Sequence, residues 1–310
     1  MTENRNLITA IERVQKLAEG SKLQRLLHNP LKYFNALFFR KLIYPLNKKG
    51  KLTLCKSFFD TPINVLLPAG TDIYLLGAKS HSSEIKLAKF ICKNLQHNAV
   101  FIDIGAHFGY YSLLASKIVG KQGKVVGIEA SKSIFEVLKE NASNAENLLL
   151  FNMACTDKKE DVTFYEFPVL YSEYNTLMPD QFESSAWTNK NKAQKINVQG
   201  NTLDAFLKPL NLKPDFIKID VEGAEDKVIS GMKSTLENNH QLIIAMEYLK
   251  ETRHNTAHIQ ATKLLLEAGF IPHIILNDAK TKPVAANEIQ SYLESKDMES
   301  DNIILKKPTQ

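Results

Sequence analysis

Cysteine is scarce: three in 310 residues, Cys55, Cys92 and Cys155, with no paired spacing among them. That excludes a disulfide framework and a thiolate zinc site, and sets the expectation of a reducing, cytoplasmic environment. Long apolar runs are missing too. None approaches the ~20 residues that span a bilayer, and Met1-Thr2-Glu3-Asn4-Arg5 does not open an apolar leader, so no signal peptide is expected. No two of the 13 glycines stand two apart, which rules out the G-x-G-x-x-G of a nicotinamide site. No Gly-Lys is followed by Ser or Thr, which rules out a phosphate loop of the G-x-x-x-x-G-K-[ST] type. No internal repeat of 20 to 50 residues is evident.

The remainder is an ordinary globular composition, 44% hydrophobic and 24% charged. The net charge of +5 is unevenly spread. Residues 1–56 hold 12 Lys+Arg and 3 Asp+Glu, and the rest of the chain holds 27 and 31. The basic character therefore belongs to the N-terminal segment.

The chain is organised around Phe101-Ile102-Asp103-Ile104-Gly105-Ala106-His107-Phe108-Gly109-Tyr110-Tyr111-Ser112. Val100–Ile104 is a short apolar, β-branched run, the pattern of a buried strand. Gly105 and Gly109 let the backbone turn and approach a ligand. Leu113, Leu114, Ile118 and Val119 then recur at helical spacing. Strand, glycine turn and helix together offer backbone N–H groups and a helix N-terminus to a ligand. The next strand, Lys124–Ile128, ends in Glu129, placed to accept hydrogen bonds from ribose hydroxyls. Asp103, the glycine turn and Glu129 point to an adenosine cofactor without a pyrophosphate.

These residues resemble the FkbM-type methyltransferases, which use S-adenosylmethionine. Three motifs carry the resemblance: the 101–112 stretch, Glu129, and Phe216-Ile217-Lys218-Ile219-Asp220-Val221-Glu222-Gly223-Ala224-Glu225 preceded by Thr202-Leu203-Asp204-Ala205-Phe206-Leu207. It covers roughly residues 64–305. Two departures stand out: His107 where the family usually has Asn, and Ala130-Ser131 where it has Pro. The resemblance implies an α/β, Rossmann-like class I methyltransferase fold, a seven-stranded mixed sheet with helices on both faces. It implies a cofactor site at Asp103, Gly105, Ala106, His107, Gly109, Tyr111, Glu129, Ala130, Ser131 and Asp220. Asn152 and Ala154 follow the third strand, in the loop that the resemblance sets beside the adenine. Glu84 would lie near the methionine end; an acidic residue favoured by a helix N-terminus is the competing reading.

Outside the motifs, residues 1–60 read as a basic helical extension to a domain spanning 61–310. Asn29-Pro30 is a helix start. Leu31, Phe34, Leu37, Phe38 and Leu42 form a stripe ringed by Lys32, Arg40, Lys41, Lys48, Lys49 and Lys51, and Pro45 is expected to end it. Packing on the domain or a second subunit is the expectation; peripheral contact of residues 22–51 with an anionic inner-membrane face is the sharper alternative. Ile63–Leu67 and Ile73–Leu76 read as a hairpin, Ser82–Leu95 as a helix, and Ala224–Leu236 as another. Pro168–Lys195, with Tyr171, Tyr174, Phe182 and Trp187, reads as a substrate-facing lid. His81, His254 and His258 read as surface residues.

Asp220 and Glu222 follow a strand end, where ligands of open α/β sheets sit, and are the candidates for base or acceptor orientation. Asp220, Glu222 and Glu247 have the oxygen donors of a Mg²⁺ or Mn²⁺ site, but strand-end carboxylates alone do not make one, and no metal is expected. The function expected is O-methylation of a sugar, glycan or small-molecule hydroxyl. An RNA methyltransferase is the competitor, opposed by the acidic catalytic part; a non-catalytic Rossmann-like binding module is opposed by the intact Asp103/Gly105/Gly109/Glu129 set.

Overall fold

The computed structural model describes residues 2–182 and 187–308, so residues 183–186 of the expected lid lie outside the described residues. The basic segment forms α1 (Thr2–Glu19), α2 (Lys22–His28), α3 (Pro30–Phe38) and α4 (Tyr44–Asn47), with a π-helical turn at Phe39–Ile43. Ser21 and Asn29 cap α2 and α3 by accepting from the backbone N–H of Gln24 and Lys32. Pro45 does not end the helical run. It sits in the first turn of α4, where its missing N–H costs no bond, and the chain leaves the helix at Lys48, in the left-handed region.

Residues 51–60 are not helical. β1 (Lys51–Lys56) pairs antiparallel with β2 (Pro62–Leu67), and Thr71–Leu76 is a helix, α5, rather than the second arm of a hairpin. Asp72 holds that turn: its carboxylate accepts from Ile73 N at 2.8 Å and Ser80 N at 3.0 Å. β1 buries only Cys55 of its six residues, so it has no apolar face for a sequence pattern to reveal. α6 (Ser82–Asn94) receives the buried face of α1, which is Leu7, Ile11 and Val14.

The main sheet begins with β3 (Val100–Ile104), α7 (Tyr110–Val119), β4 (Lys124–Ile128), α8 (Lys132–Asn141) and β5 (Leu148–Phe151). The chain then makes a side sheet from β6 (Ala154–Cys155), β7 (Glu160–Glu166) and β8 (Gln194–Asn201), with the lid between β7 and β8. It returns through α9 (Leu203–Leu210), β9 (Phe216–Ile219), α10 (Glu225–Ser230), α11 (Lys233–Glu237), β10 (Ile243–Leu249), α12 (Thr256–Glu267), β11 (Ile271–Ile275), β12 (Thr281–Pro283), α13 (Ile289–Ser295) and β13 (Ser300–Lys306).

The strand order is β12-β11-β13-β10-β9-β3-β4-β5. β10, β9, β3, β4 and β5 run parallel, and β13 is antiparallel to both β10 and β11. This is the expected class I methyltransferase architecture, with eight strands instead of seven. The extra strand, β12, is three residues on an edge and ends in Pro283, too short and too polar to show alternation. The expected helix 224–236 is two helices. It breaks at Gly231, where a Cβ would lie 2.1 Å from the Thr156 carbonyl oxygen. The break aims the start of α11 at Asp204, whose carboxylate accepts from Ser234 N and Thr235 N.

One buried ion pair ties the two ends of the domain. Lys86 on α6 pairs with Asp301 on β13, and Tyr292 donates to the same carboxylate at 2.8 Å. Lys86→Met should leave Asp301 buried without its countercharge and cost about 3–5 kcal/mol of stability, measured by urea denaturation; a loss below ~1 kcal/mol would show that the pair is not structural.

Candidate functional site

Sheet register builds the centre of the site. Successive strand residues face opposite sides, so in β3 Phe101 and Asp103 share one face while Ile102 and Ile104 take the other. In β9, Phe216 and Lys218 share that same face. Asp103 and Lys218 are direct partners in the ladder, flanked by Gly127 on β4 and Ala245 on β10. The Lys218 ammonium lies 3.5 Å from Asp103 and 3.1 Å from Asp220, and is 2% exposed. Burial disfavours its charge, but the two carboxylates outweigh burial and raise its pKa. Asp103 accepts from Ser112 Oγ at 2.7 Å. Asp103 therefore lies beneath the glycine turn rather than in the cleft wall.

Gly105, at φ 79°, passes so close to β9 that a Cβ would sit 1.8 Å from the Asp220 carbonyl oxygen. The next turn is held by Glu129, whose carboxylate accepts from His107 N at 2.8 Å and Ser131 N at 2.9 Å. Burial pushes Glu129 up to about 7, against the pull of those two N–H groups. Asn152 donates to the carbonyls of Glu129 and Ala130 and so shapes the loop from behind.

These elements open on a cleft of about 450 Å³. Of the residues expected at the cofactor, Glu84, Gly105, His107, Glu129, Ala130, Ala154 and Asp220 line it. Ala106, Gly109, Tyr111, Ser131 and Asn152 do not line it. Tyr111 acts on Glu84, donating to its carboxylate at 3.0 Å, while Lys79 pairs with the same group at 3.2 Å. Ala130, Ala154, Phe164 and Leu177 form an apolar slot next to Glu129.

Opposite lie three carboxylates. Oxygens of Asp220, Glu222 and Glu247 come within 4.8 Å of one another. Their environments push them apart. Burial would raise Asp220, but Lys218 and Lys79 overcome it and hold it below the ordinary carboxylate range. Glu222 is raised well above its ordinary value by burial, then by Glu247 and Asp220. Glu247 is pushed up to about 8 by burial and by Asp220. Glu225 does more than complement a helix end: fully buried, it accepts from Val221 N and Gly223 N and so fixes the Asp220–Gly223 turn. His258 is no surface residue. It is 0% exposed, with Nε2 3.3 Å from Glu225. Its helical spacing alone could not separate it from the exposed His254.

The lid closes over this wall through side chains that the sequence left unpaired. His107, at φ 50° and half-buried, contacts Ser172 Oγ through Nε2 at 3.0 Å, and desolvation pushes its pKa down to about 3. Thr176 donates to the Glu222 carbonyl at 2.5 Å, and Gln181 to the same oxygen. Behind them Tyr171, Tyr174, Phe182 and Trp187 form one aromatic cluster, in which Tyr171 and Trp187 stack at 4.4 Å between centroids and Tyr174 meets Phe182 edge-on. The Arg253 guanidinium lies 5.9 Å from the Tyr174 ring. Lys79, His81, Arg253 and Ser300 line the cleft without having been singled out as site residues, and only the topology brings their segments together; Glu247, considered from the sequence only as an oxygen donor beside Asp220 and Glu222, lines it as well.

A family model described as "Methyltransferase FkbM domain" matches residues 103–272, just over half of the 310-residue chain. No curated protein matches it. Among solved structures, it is similar to the methyltransferase FkbM of Methylobacillus flagellatus KT, at 12% identity over 76% of this chain and 52% of that one, with a TM-score of 0.43. The precorrin-6y C5,15-methyltransferase of Geobacter metallireducens GS-15 matches at 14% identity over 73% and 88%, with a TM-score of 0.40. Aeropyrum pernix fibrillarin with natively bound S-adenosyl-L-methionine matches at 11% over 68% and 67%, with a TM-score of 0.35. Likenesses this distant assign none of the site residues.

Gly105→Ala tests the close approach at the cleft floor. The added methyl meets backbone, which cannot rotate away, so a loss of about 4 kcal/mol or more is expected in denaturant melts. A variant of unchanged stability would mean that the turn can move away from Asp220.

Proposed function

The chain belongs to the FkbM methyltransferase family, and from that premise we propose that it moves a methyl group from S-adenosylmethionine to a hydroxyl of a sugar, glycan or small natural product. The observation that carries this reading is the carboxylate trio with divided proton affinity, facing a cleft that suits an adenosine cofactor. The residues present fit that cofactor. Glu129 keeps lone pairs free toward the cleft for ribose hydroxyls, the slot at Ala130, Ala154, Phe164 and Leu177 suits a flat base, and Glu84 with Lys79 offers both signs of charge to an amino acid end. In this reading residues 1–60 are an extension and 61–310 the catalytic domain, with the β1–β2 pairing bridging the two. A cytoplasmic setting is in keeping with three free, buried cysteines.

When bound, the cofactor supplies a methyl activated for in-line displacement. The chain's own task is to orient the acceptor and take its proton. Asp220 stays ionised beside Lys218 and orients the acceptor hydroxyl, its charge also suiting a cationic donor. The proton passes onto the Glu222–Glu247 pair, whose raised proton affinity makes it a stronger base once Glu247 has ionised, at a pH of about 8. The lid's aromatic cluster and amides suit the faces and hydroxyls of a sugar. A wall of carboxylates repels a phosphate backbone, which opposes RNA as acceptor.

The primary test is calorimetric titration of the purified protein with S-adenosylhomocysteine, with NAD as control. Micromolar binding of the former alone is expected. Glu129→Ala should abolish it, whereas Asp220→Asn should bind normally and lose about 100-fold or more in kcat. Normal binding by Glu129→Ala would sink the ribose assignment. Once an acceptor is found, turnover should rise with pH through about 8, as Glu247 loses its proton, and Glu247→Gln should remove that limb. Because Lys218 already balances Asp220 at 3.1 Å, dialysis against a chelator is expected to leave turnover unchanged; loss of activity restored by Mg²⁺ or Mn²⁺ would assign the trio to a metal instead.

A further inference from the structure

The apolar stripe of the N-terminal arm is not packed on the domain. Leu31, Phe34 and Leu42 are 83%, 68% and 57% exposed, and Leu27 and Leu46 are 69% and 82% exposed. The arm turns Ala36, Phe39 and Tyr44 inward instead. Of the 17 large apolar side chains exposed among the described residues, 11 fall between Leu23 and Leu54, so the arm concentrates apolar surface that is elsewhere scattered.

The charge around this surface is of one sign. Residues 20–59 hold nine Lys and Arg and no Asp or Glu. Among the described residues only Lys56 of the nine pairs with a carboxylate, Asp60, at 2.7 Å. Arg40 and Lys41 are exposed on the same helical run as the leucines and phenylalanines, and Lys48 and Lys49 are exposed directly after it. A second copy is a poor occupant: a twofold interface sets the patch against itself, and its cations against their own kind. Nucleic acid is a poor occupant as well, since leucine side chains neither stack on bases nor bond to phosphate, and Phe34 and Phe38 already stack on each other at 6.1 Å. Leucine and phenylalanine flanked by long basic side chains match the boundary between lipid headgroups and acyl chains.

We propose that residues 22–51 dock on an anionic lipid bilayer, with Leu27, Leu31, Phe34, Phe38 and Leu46 entering the interface and the surrounding Lys and Arg meeting the headgroups. The arm is fastened to the lid: Tyr44 Oη accepts from Leu170 N at 3.0 Å, and Lys48 Nζ donates to Asn191 Oδ1 at 3.0 Å. Docking therefore anchors the lid as well as the arm. None of this depends on which cofactor or acceptor the cleft takes.

The test is flotation of the full-length protein with vesicles of phosphatidylcholine alone, or of equal parts phosphatidylcholine and phosphatidylglycerol. Binding is expected to the mixed vesicles, at least about tenfold stronger than to phosphatidylcholine and weakened by salt. Arg40→Glu/Lys41→Glu and Phe34→Ser/Phe38→Ser should each lose about tenfold or more while melting at the wild-type temperature, since these side chains are exposed. Equal partition into both vesicle types, or full retention by either variant, overturns the proposal. So does a dimer mass by light scattering that Phe34→Ser/Phe38→Ser abolishes, which would give the face to a second copy. Binding to a short RNA without binding to vesicles overturns it in favour of nucleic acid.

Discussion

A lysine buried between two aspartates in the middle of a parallel sheet is the constraint on which the rest of this structure turns. Removing three charges from water is costly, and the cost is offset only if they meet one another in good geometry. Lys218 meets Asp103 across the ladder and Asp220 at the strand end. Their neighbours must be small: Gly127 and Ala245 flank the pair, and a Cβ on Gly127 would lie 3.2 Å from Ser112 Oγ, the group that bonds Asp103. The same triad sets β3 beside β9 and so brings the glycine turn to the carbonyl of Asp220. Fold and site share one set of atoms.

From that anchor the carboxyl ends of β3, β4, β9 and β10 supply the floor and walls of the cleft. Acidic groups crowd together there, and the way their protons divide is a property of the packing. Asp220 stays ionised because lysines face it. Glu222 and Glu247 are pushed up because burial and Asp220 act on them together. Burying these groups costs stability, and the latches from Glu225, Thr176 and Gln181 hold the backbone that bears them. His107 adds a bond from the glycine turn to the lid, at the position where the family usually carries asparagine.

The basic N-terminal arm answers to a different constraint. It anchors itself through Leu7, Ile11 and Val14 and through Phe39 and Tyr44, and leaves its most apolar stripe to solvent. Helical periodicity alone predicts that such a stripe is covered. The domain's surface does not cover it, and residues 20–59, which carry the stripe, hold no Asp or Glu.

The sequence by itself determined the parallel core, the glycine turn, the acidic strand ends and the uneven charge, because each is written in neighbouring residues. A short apolar, β-branched run marks β3, a glycine marks a left-handed backbone, and Asn29-Pro30 marks a helix start. Only the tertiary structure decided what those residues meet. β1 and β12 have no apolar face of their own and are strands because partners bond them. The 224–236 helix breaks where Gly231 meets Thr156. His258 is buried because α12 packs over Glu225, and Asp103 serves Lys218 instead of facing the cleft. Lys79 and Arg253 join the site from segments far apart in the chain. Local pattern records which way a residue faces; what it faces depends on long-range packing, and here that packing is where the chemistry resides.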